Sequence, residues 1–267
     1  MKRIVYLDYI RVVACFLVML VHASEYFYGF IPPELLEDGA AASNLAGPKS
    51  YLFSEADRLW VSIYDGMSRI AVPLFMIVSA FLLVPMKEEQ TMGEFYAKRF
   101  KRVVPPIVAF MLIYSLLPLL WGGMEWAQSA NDLKRLLLNF PSMAGHFWFI
   151  YPLLGLYLFI PIISPWLRKA TAKEELVFIG LFALSTCMPF LNRWVGEVWG
   201  QCFWNEYHLL WNFSGYLGYL VLAHYIRVHL NWERTKRFWV GLAAFIVGTV
   251  VTIWSFYTQA TPGVVHV

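Results

Sequence analysis

The chain has 267 residues, of which 59% are hydrophobic, 18% aromatic and only 15% charged. That balance excludes an ordinary soluble domain, and its repeated long apolar runs instead define a polytopic α-helical membrane protein. The formal net charge of +3 is too small to indicate a nucleic-acid partner, and Cys15, Cys187 and Cys202 form neither a CxxC pair nor a disulfide framework.

The pattern predicts an all-α, polytopic transmembrane helical bundle of about seven spans, at 9–29, 62–85, 103–123, 146–167, 174–192, 208–229 and 237–257. Pro189 and Asn192 are expected to truncate the fifth. The first span has an unbroken apolar centre from Val12 to Val21, yet Asp8 and Arg11 stand at its near end and His22 well inside it. At ~100° per residue, eleven residues bring Arg11 and His22 to within ~20° of one another around the helix and ~17 Å apart along it. An ionisable group at that depth is costly and faces a bundle interior or a wet cavity, so the Arg11–His22 stripe is a candidate site. The plainer reading has Arg11 snorkelling to the interface and His22 packing as a hydrogen-bonded core residue. Lys2, Arg3 and Val21-His22-Ala23 also imitate a signal peptide, but Asp8 and Arg11 interrupt the required charged-to-apolar transition.

Residues 30–60, with Pro32-Pro33 and acidic Glu34, Glu37 and Asp38, read as an irregular outer loop, placed to act as a lid over the outer face. In the second span, Asp65 and Arg69 at i,i+4 either line a polar funnel or snorkel. Ser79-Ala80 and, in the sixth span, Gly215-x-x-Gly218 supply small residues for close helix approach. Tyr96-Ala-Lys-Arg-Phe-Lys-Arg102 precedes Val103-Val104-Pro105-Pro106; if helical, Arg99 and Arg102 share a face and suit phosphate by bidentate contact. A basic flank that only fixes topology is the plainer reading. Outer segment 124–145 predicts a short interfacial helix. His224 and His229 are expected to have no carboxylate beside them, so no metal is expected. The sequon Asn212-Phe213-Ser214 is expected inside a span and is discounted. No Walker loop or GxGxxG is present.

Assigning basic residues to loops puts fourteen on one side (Lys2, Arg3; Lys87, Lys98, Arg99, Lys101, Arg102; Arg168, Lys169, Lys173; Arg227, Arg234, Lys236, Arg237) and five on the other (Lys49, Arg58, Lys134, Arg135, Arg193). The positive-inside rule then gives a cytoplasmic N-terminus and an outside C-terminus. Arg11, Arg99 and Arg102 are thereby expected at one cytoplasmic mouth, with His22 deeper.

These residues resemble the integral-membrane acyltransferase-3 family. Leu7-Asp8-Tyr-Ile-Arg11 followed by His22 is similar to its first-helix signature, and Arg99-x-x-Arg102 to its second motif. Val72-Pro73-Leu-Phe-Met-Ile-Val-Ser79-Ala-Phe81 resembles its second-span pattern, with Ala80 where Gly is usual. His146-Phe-Trp148-Phe149, then Leu156-Tyr157, resembles the opening of a later span. The resemblance covers roughly the whole chain and implies a single acyltransferase domain over 1–267, shorter than usual and so truncated or a shortened member.

The same resemblance implies O-acylation, commonly acetylation, of a cell-envelope glycan or lipid-linked sugar at the bacterial cytoplasmic (inner) membrane, with cytosolic acyl-CoA as donor. His22 is then the general base, Arg11, Arg99 and Arg102 hold the donor, and Asp8, Arg69, Ser79, His146 and Trp148 are acceptor-side or structural. Ser79 and Cys15 are available nucleophiles for an acyl-enzyme. A transporter or flippase for an envelope sugar or anionic substrate is the competing class; it usually shows inverted repeats, and none is visible.

Overall fold

A computed structural model describes residues 4–28, 46–136, 139–195 and 210–258. Among these, every regular element is helical: α1 (Val5–Tyr28), α2 (Gly47–Phe53), α3 (Glu55–Ser68), α4 (Ala71–Leu83), α5 (Met92–Leu116), α6 (Trp126–Arg135), α7 (Ile150–Leu167), α8 (Ala172–Val195), α9 (Leu217–Val228) and α10 (Arg234–Tyr257). Short 3-10 turns occupy Leu117–Trp121, Gly145–Phe149 and Trp211–Phe213. The chain forms two compact units, one of residues 1–78 with 230–267 and one of residues 79–229.

Helices overlap all seven predicted spans, the sixth only over Leu217–Val228, but among the described residues five segments are long and apolar enough to cross a membrane: Val5–Tyr28, Glu55–Leu83, Met92–Trp121, Gly145–Leu167 and Arg234–Tyr257. Of the other two, α8 runs on past Pro189 and Asn192 but opens on Lys173, Glu174 and Glu175, and α9 has only 12 residues. Gly215 explains the short α9: its φ of +79° is left-handed, a conformation that stops a helix from starting earlier. The sequon therefore falls elsewhere than expected, with Asn212 exposed on the 3-10 turn before α9.

Proline and capping chemistry set the other boundaries. Continuing α3 through the Arg69–Ile70 turn would require Pro73 to donate to the Arg69 carbonyl, and proline has no N–H. The expected second span is consequently two helices, α3 and α4. Thr91 and Glu94 form a reciprocal capping box at the start of α5, and Thr171 and Glu174 repeat it before α8. The segment 30–60 is not wholly irregular: Pro48 opens α2, and the Ser54 hydroxyl accepts from Asp57 N at 3.3 Å to open α3. The remainder of that stretch, 30–45, lies outside the described residues.

In the first unit, α3 packs on α1 and α10. A Cβ placed on Gly66 would stand 2.5 Å from Ile253 Cγ1, so the bare backbone at Gly66 is what lets α10 approach α3. Tyr28, Tyr51, Val61 and Phe256 close this contact, with the Tyr28 and Phe256 rings edge-to-face at 4.7 Å. Burial pushes the Tyr51 hydroxyl up to about 12, so it stays neutral in that cluster.

In the second unit, a Cβ on Gly218 would fall 2.3 Å from the Phe182 ring, which places α9 directly against α8. Of the expected Gly215-x-x-Gly218 pair, Gly218 alone makes the close approach. The end of α4 shows a second repair of proline chemistry. Pro85 cannot donate to the Phe81 carbonyl, and Arg227 Nη1 does so instead at 2.7 Å. Arg168 Nη2 donates to the Met86 carbonyl, and Met86 N donates to Ser164 Oγ at 2.8 Å. The predicted interfacial helix of segment 124–145 is α6, with Trp126 exposed and Ser129 Oγ donating to the Ser115 carbonyl at 2.7 Å.

Candidate active site

Helix α1 presents three kinds of surface. Val12, Val13, Phe16 and Met19 are exposed, as lipid-facing residues should be, and Cys15 is exposed with them. Leu7, Ala14, Ser24 and Tyr28 are buried. Arg11 and His22 are half-buried between the two. Arg11 Nη1 donates to Asp8 Oδ1 at 3.1 Å, and His22 Nδ1 lies 2.6 Å from Glu25 Oε2.

The Glu25 contact changes the chemistry of the stripe. A carboxylate oxygen that accepts here favours the proton on Nδ1, the tautomer whose basic lone pair is on Nε2. That is the arrangement of a histidine base oriented by a carboxylate. Sequence reasoning missed Glu25, although His22-x-x-Glu25 is an i,i+3 spacing and such pairs meet on a helix surface.

The same two turns of α1 are anchored by a buried polar cluster. Asp65 on α3 is fully buried, and its carboxylate accepts from Ser24 Oγ (3.1 Å), Tyr28 OH (2.5 Å), Arg69 Nε (2.7 Å) and Arg69 Nη2 (3.1 Å). Arg69 Nη2 also donates to Tyr28 OH at 2.8 Å. The expected Asp65–Arg69 pair is present, but Asp65 lines no open funnel and Arg69 is turned onto the protein rather than outward to an interface. Three full donors and a share of the Ser24 hydroxyl, which also donates to the Val21 carbonyl at 2.7 Å, offset much of the cost of burying this carboxylate. The consequence is local: Ser24 and Tyr28 flank Glu25, so this cluster fixes the part of α1 that carries the histidine.

In the second unit, Arg99 and Arg102 stand three residues apart on the continuous helix α5, which puts them on one face as expected. The Arg99 guanidinium lies 5.6 Å from the Phe95 ring centroid, and its Nε is buried with no hydrogen-bond partner. Arg102 is exposed. Pro105 and Pro106 lie inside α5 and deprive the Lys101 and Arg102 carbonyls of helical donors. Ser79 is half-buried on α4 and Ala80 is buried beside it. His146 sits on a 3-10 turn with its ring 5.3 Å from that of Tyr114, and Trp148 is exposed with its ring 6.4 Å from that of Tyr216.

One expectation is overturned. His224 and His229 do have a carboxylate beside them: Glu175, fully buried in the first turn of α8, places Oε1 2.8 Å from His224 Nδ1 and 3.2 Å from His229 Nε2. The partner lies 49 residues upstream of His224, beyond the reach of local spacing.

Five helical segments of spanning length and apolarity among the described residues make this an integral membrane protein, and the first of them carries the histidine–carboxylate pair. The chain matches the acyltransferase domain of the acyltransferase-3 family over residues 4–265 and belongs to that family, so it is a membrane acyltransferase. No curated protein and no solved structure matches it.

Proposed function

We propose that this acyltransferase moves an acyl group, acetyl by preference, from cytosolic acyl-CoA to a hydroxyl of a cell-envelope carbohydrate at the bacterial cytoplasmic membrane. The observation that supports it is the His22–Glu25 pair on the Arg11 stripe of α1, in a chain of this family. A hydroxyl is a weak nucleophile at neutral pH. His22 Nε2 accepts its proton as the oxygen attacks the thioester carbonyl, the carbon–oxygen bond forms, and the carbon–sulfur bond breaks. The proton then passes to the departing thiolate, giving ester and free CoA thiol. The transfer balances without a metal. Incubating the purified protein with radiolabelled acetyl-CoA and envelope glycans tests the reading; label that stays with CoA, with sugar moved across vesicles instead, supports the transporter class.

The family match spans both compact units, which favours reading 1–267 as one acyltransferase domain built of two parts. Arg99 and Arg102 are assigned to the donor. An orphaned, buried guanidinium Nε beside an exposed second arginine is a site that phosphate oxygens satisfy. Arg11 is assigned with them, although Asp8 already shares its charge. Lysine at Arg99 or Arg102 keeps the charge but loses the planar fork. Acyl-CoA affinity, measured by equilibrium binding, is expected to fall about tenfold, the equivalent of roughly one charge-assisted hydrogen bond. Parental affinity in both variants would leave these arginines as topology signals.

The N-terminus is assigned to the cytoplasm. Removing α8 and α9 from the span count changes the side of Arg193 alone, so the charge asymmetry survives a count of five. In a background lacking native cysteines, Arg3→Cys is expected to be protected from an impermeant thiol reagent and Leu45→Cys to react. The opposite labelling pattern would overturn both the orientation and the cytosolic donor.

A further inference from the structure

The geometry points to a divalent transition-metal site of the zinc class formed by Glu175, His224 and His229, independent of the proposed acyl transfer. Three observations carry it. The first is the ligand set: one carboxylate and two imidazoles offer atoms that all lie within 4.8 Å of one another. Two imidazole nitrogens and one carboxylate suit zinc and its transition-metal neighbours, whereas magnesium and calcium favour all-oxygen sets.

The second is spacing. Bonds of about 2.0–2.1 Å in a tetrahedron imply ligand-to-ligand edges of roughly 3.3 Å. Glu175 Oε1 stands 2.8 Å from His224 Nδ1 and 3.2 Å from His229 Nε2, close to that edge, and the two imidazole nitrogens lie within 4.8 Å of each other, so a rotation of the partly exposed His229 ring closes the set around an ion.

The third is an unresolved charge. Glu175 is fully buried, and its second oxygen, Oε2, is buried with no hydrogen-bond partner. Both histidines are directed at Oε1. Neither contact reaches Oε2, and an orphaned carboxylate oxygen in a dry site is costly. A cation bound to this carboxylate gives the buried group the charged partner that the two imidazole contacts at Oε1 do not supply to Oε2. His224 is buried, while the side chain of His229 keeps 22% of its surface exposed, which leaves a route by which an ion reaches the site. The ion would tie the first turn of α8 to the last turn of α9 and its cap, a join already tightened by Gly218 under Phe182.

The test uses the full chain in detergent, with any polyhistidine tag removed, stripped with chelator and then titrated with Zn2+ or Co2+. About one metal per chain is expected, with visible ligand-field bands in the Co2+ form and a raised thermal midpoint on Zn2+ addition. His229→Gln, at the partly exposed ligand, is expected to fold and to bind at least tenfold more weakly; Glu175→Gln should lose the bands. Size-exclusion elution and helical circular dichroism report folding. A parent chain that takes up no Zn2+ and shows no Co2+ bands overturns the site. So does a folded His229→Gln that binds like the parent, because the metal then lies elsewhere. Should Glu175→Gln fail to fold, the parent and His229→Gln decide the matter by themselves.

Discussion

His22→Gln is expected to lower acyl transfer by about 10²–10⁴-fold, the usual loss when a general base is removed. Membrane insertion, thermal unfolding and acyl-CoA affinity should stay near those of the parent. The separation follows from position: His22 lies ~17 Å beyond Arg11 along the helix, too deep to share a phosphate contact. Losing the hydrogen bond to Glu25 alone would cost only ~1 kcal/mol of stability. Glu25→Gln gives a complementary result. On the proposed mechanism Glu25 positions the imidazole, so kcat should fall and the pH–rate profile should shift while KM holds. Parental turnover in His22→Gln would make the histidine a packing residue and move the search for a base to His146. A joint fall in turnover and acyl-CoA binding would place His22 in the donor site instead.

The largest stability effect is expected at Asp65 and Arg69. Arg69→Met removes the cation from a fully buried carboxylate, and breaking one side of such a pair costs about 3–5 kcal/mol. The double variant Asp65→Leu/Arg69→Met removes both charges and should recover much of that loss. Tyr28→Phe, which deletes one donor and one acceptor, is expected to cost about 1 kcal/mol. Thermal unfolding in detergent measures all three. Equal stability of Arg69→Met and parent would show that the pair does not hold α1 and α3 together. Because this cluster anchors the two turns that hold His22, destabilised variants should also lose activity beyond their loss of folded protein.

Helix existence and the main polar stripe were readable from the sequence because apolar run length and helical angle are local properties. Arg99 and Arg102 share a face for the same reason. Three features depended on single residues whose signals were present but unused. Pro73 splits the second span, Gly215 delays α9, and Pro48 with Ser54 organises helices within the expected loop. Glu25 belongs with them, one helical turn from His22. The Glu175 contact is different in kind. It joins helices separated by a long stretch of chain, and nothing in the spacing of His224 and His229 announces it.

The arginines at the end of α4 link two stages of this protein's biogenesis. In the proposed orientation Arg168, capping α7, and Arg227, on α9, count among the basic residues of the cytoplasmic side, whose charge biases how a nascent chain inserts. Once inserted, the same two side chains reach the backbone carbonyls of Met86 and Phe81, and Pro85 cannot supply the helical N–H to Phe81. Lysine satisfies the first stage as well as arginine does. It lacks the fork and the reach of a guanidinium for the second. A chain with lysine at these positions would thus enter the bilayer the right way round and then assemble badly, so that correct topology and correct folding become separable defects in one protein.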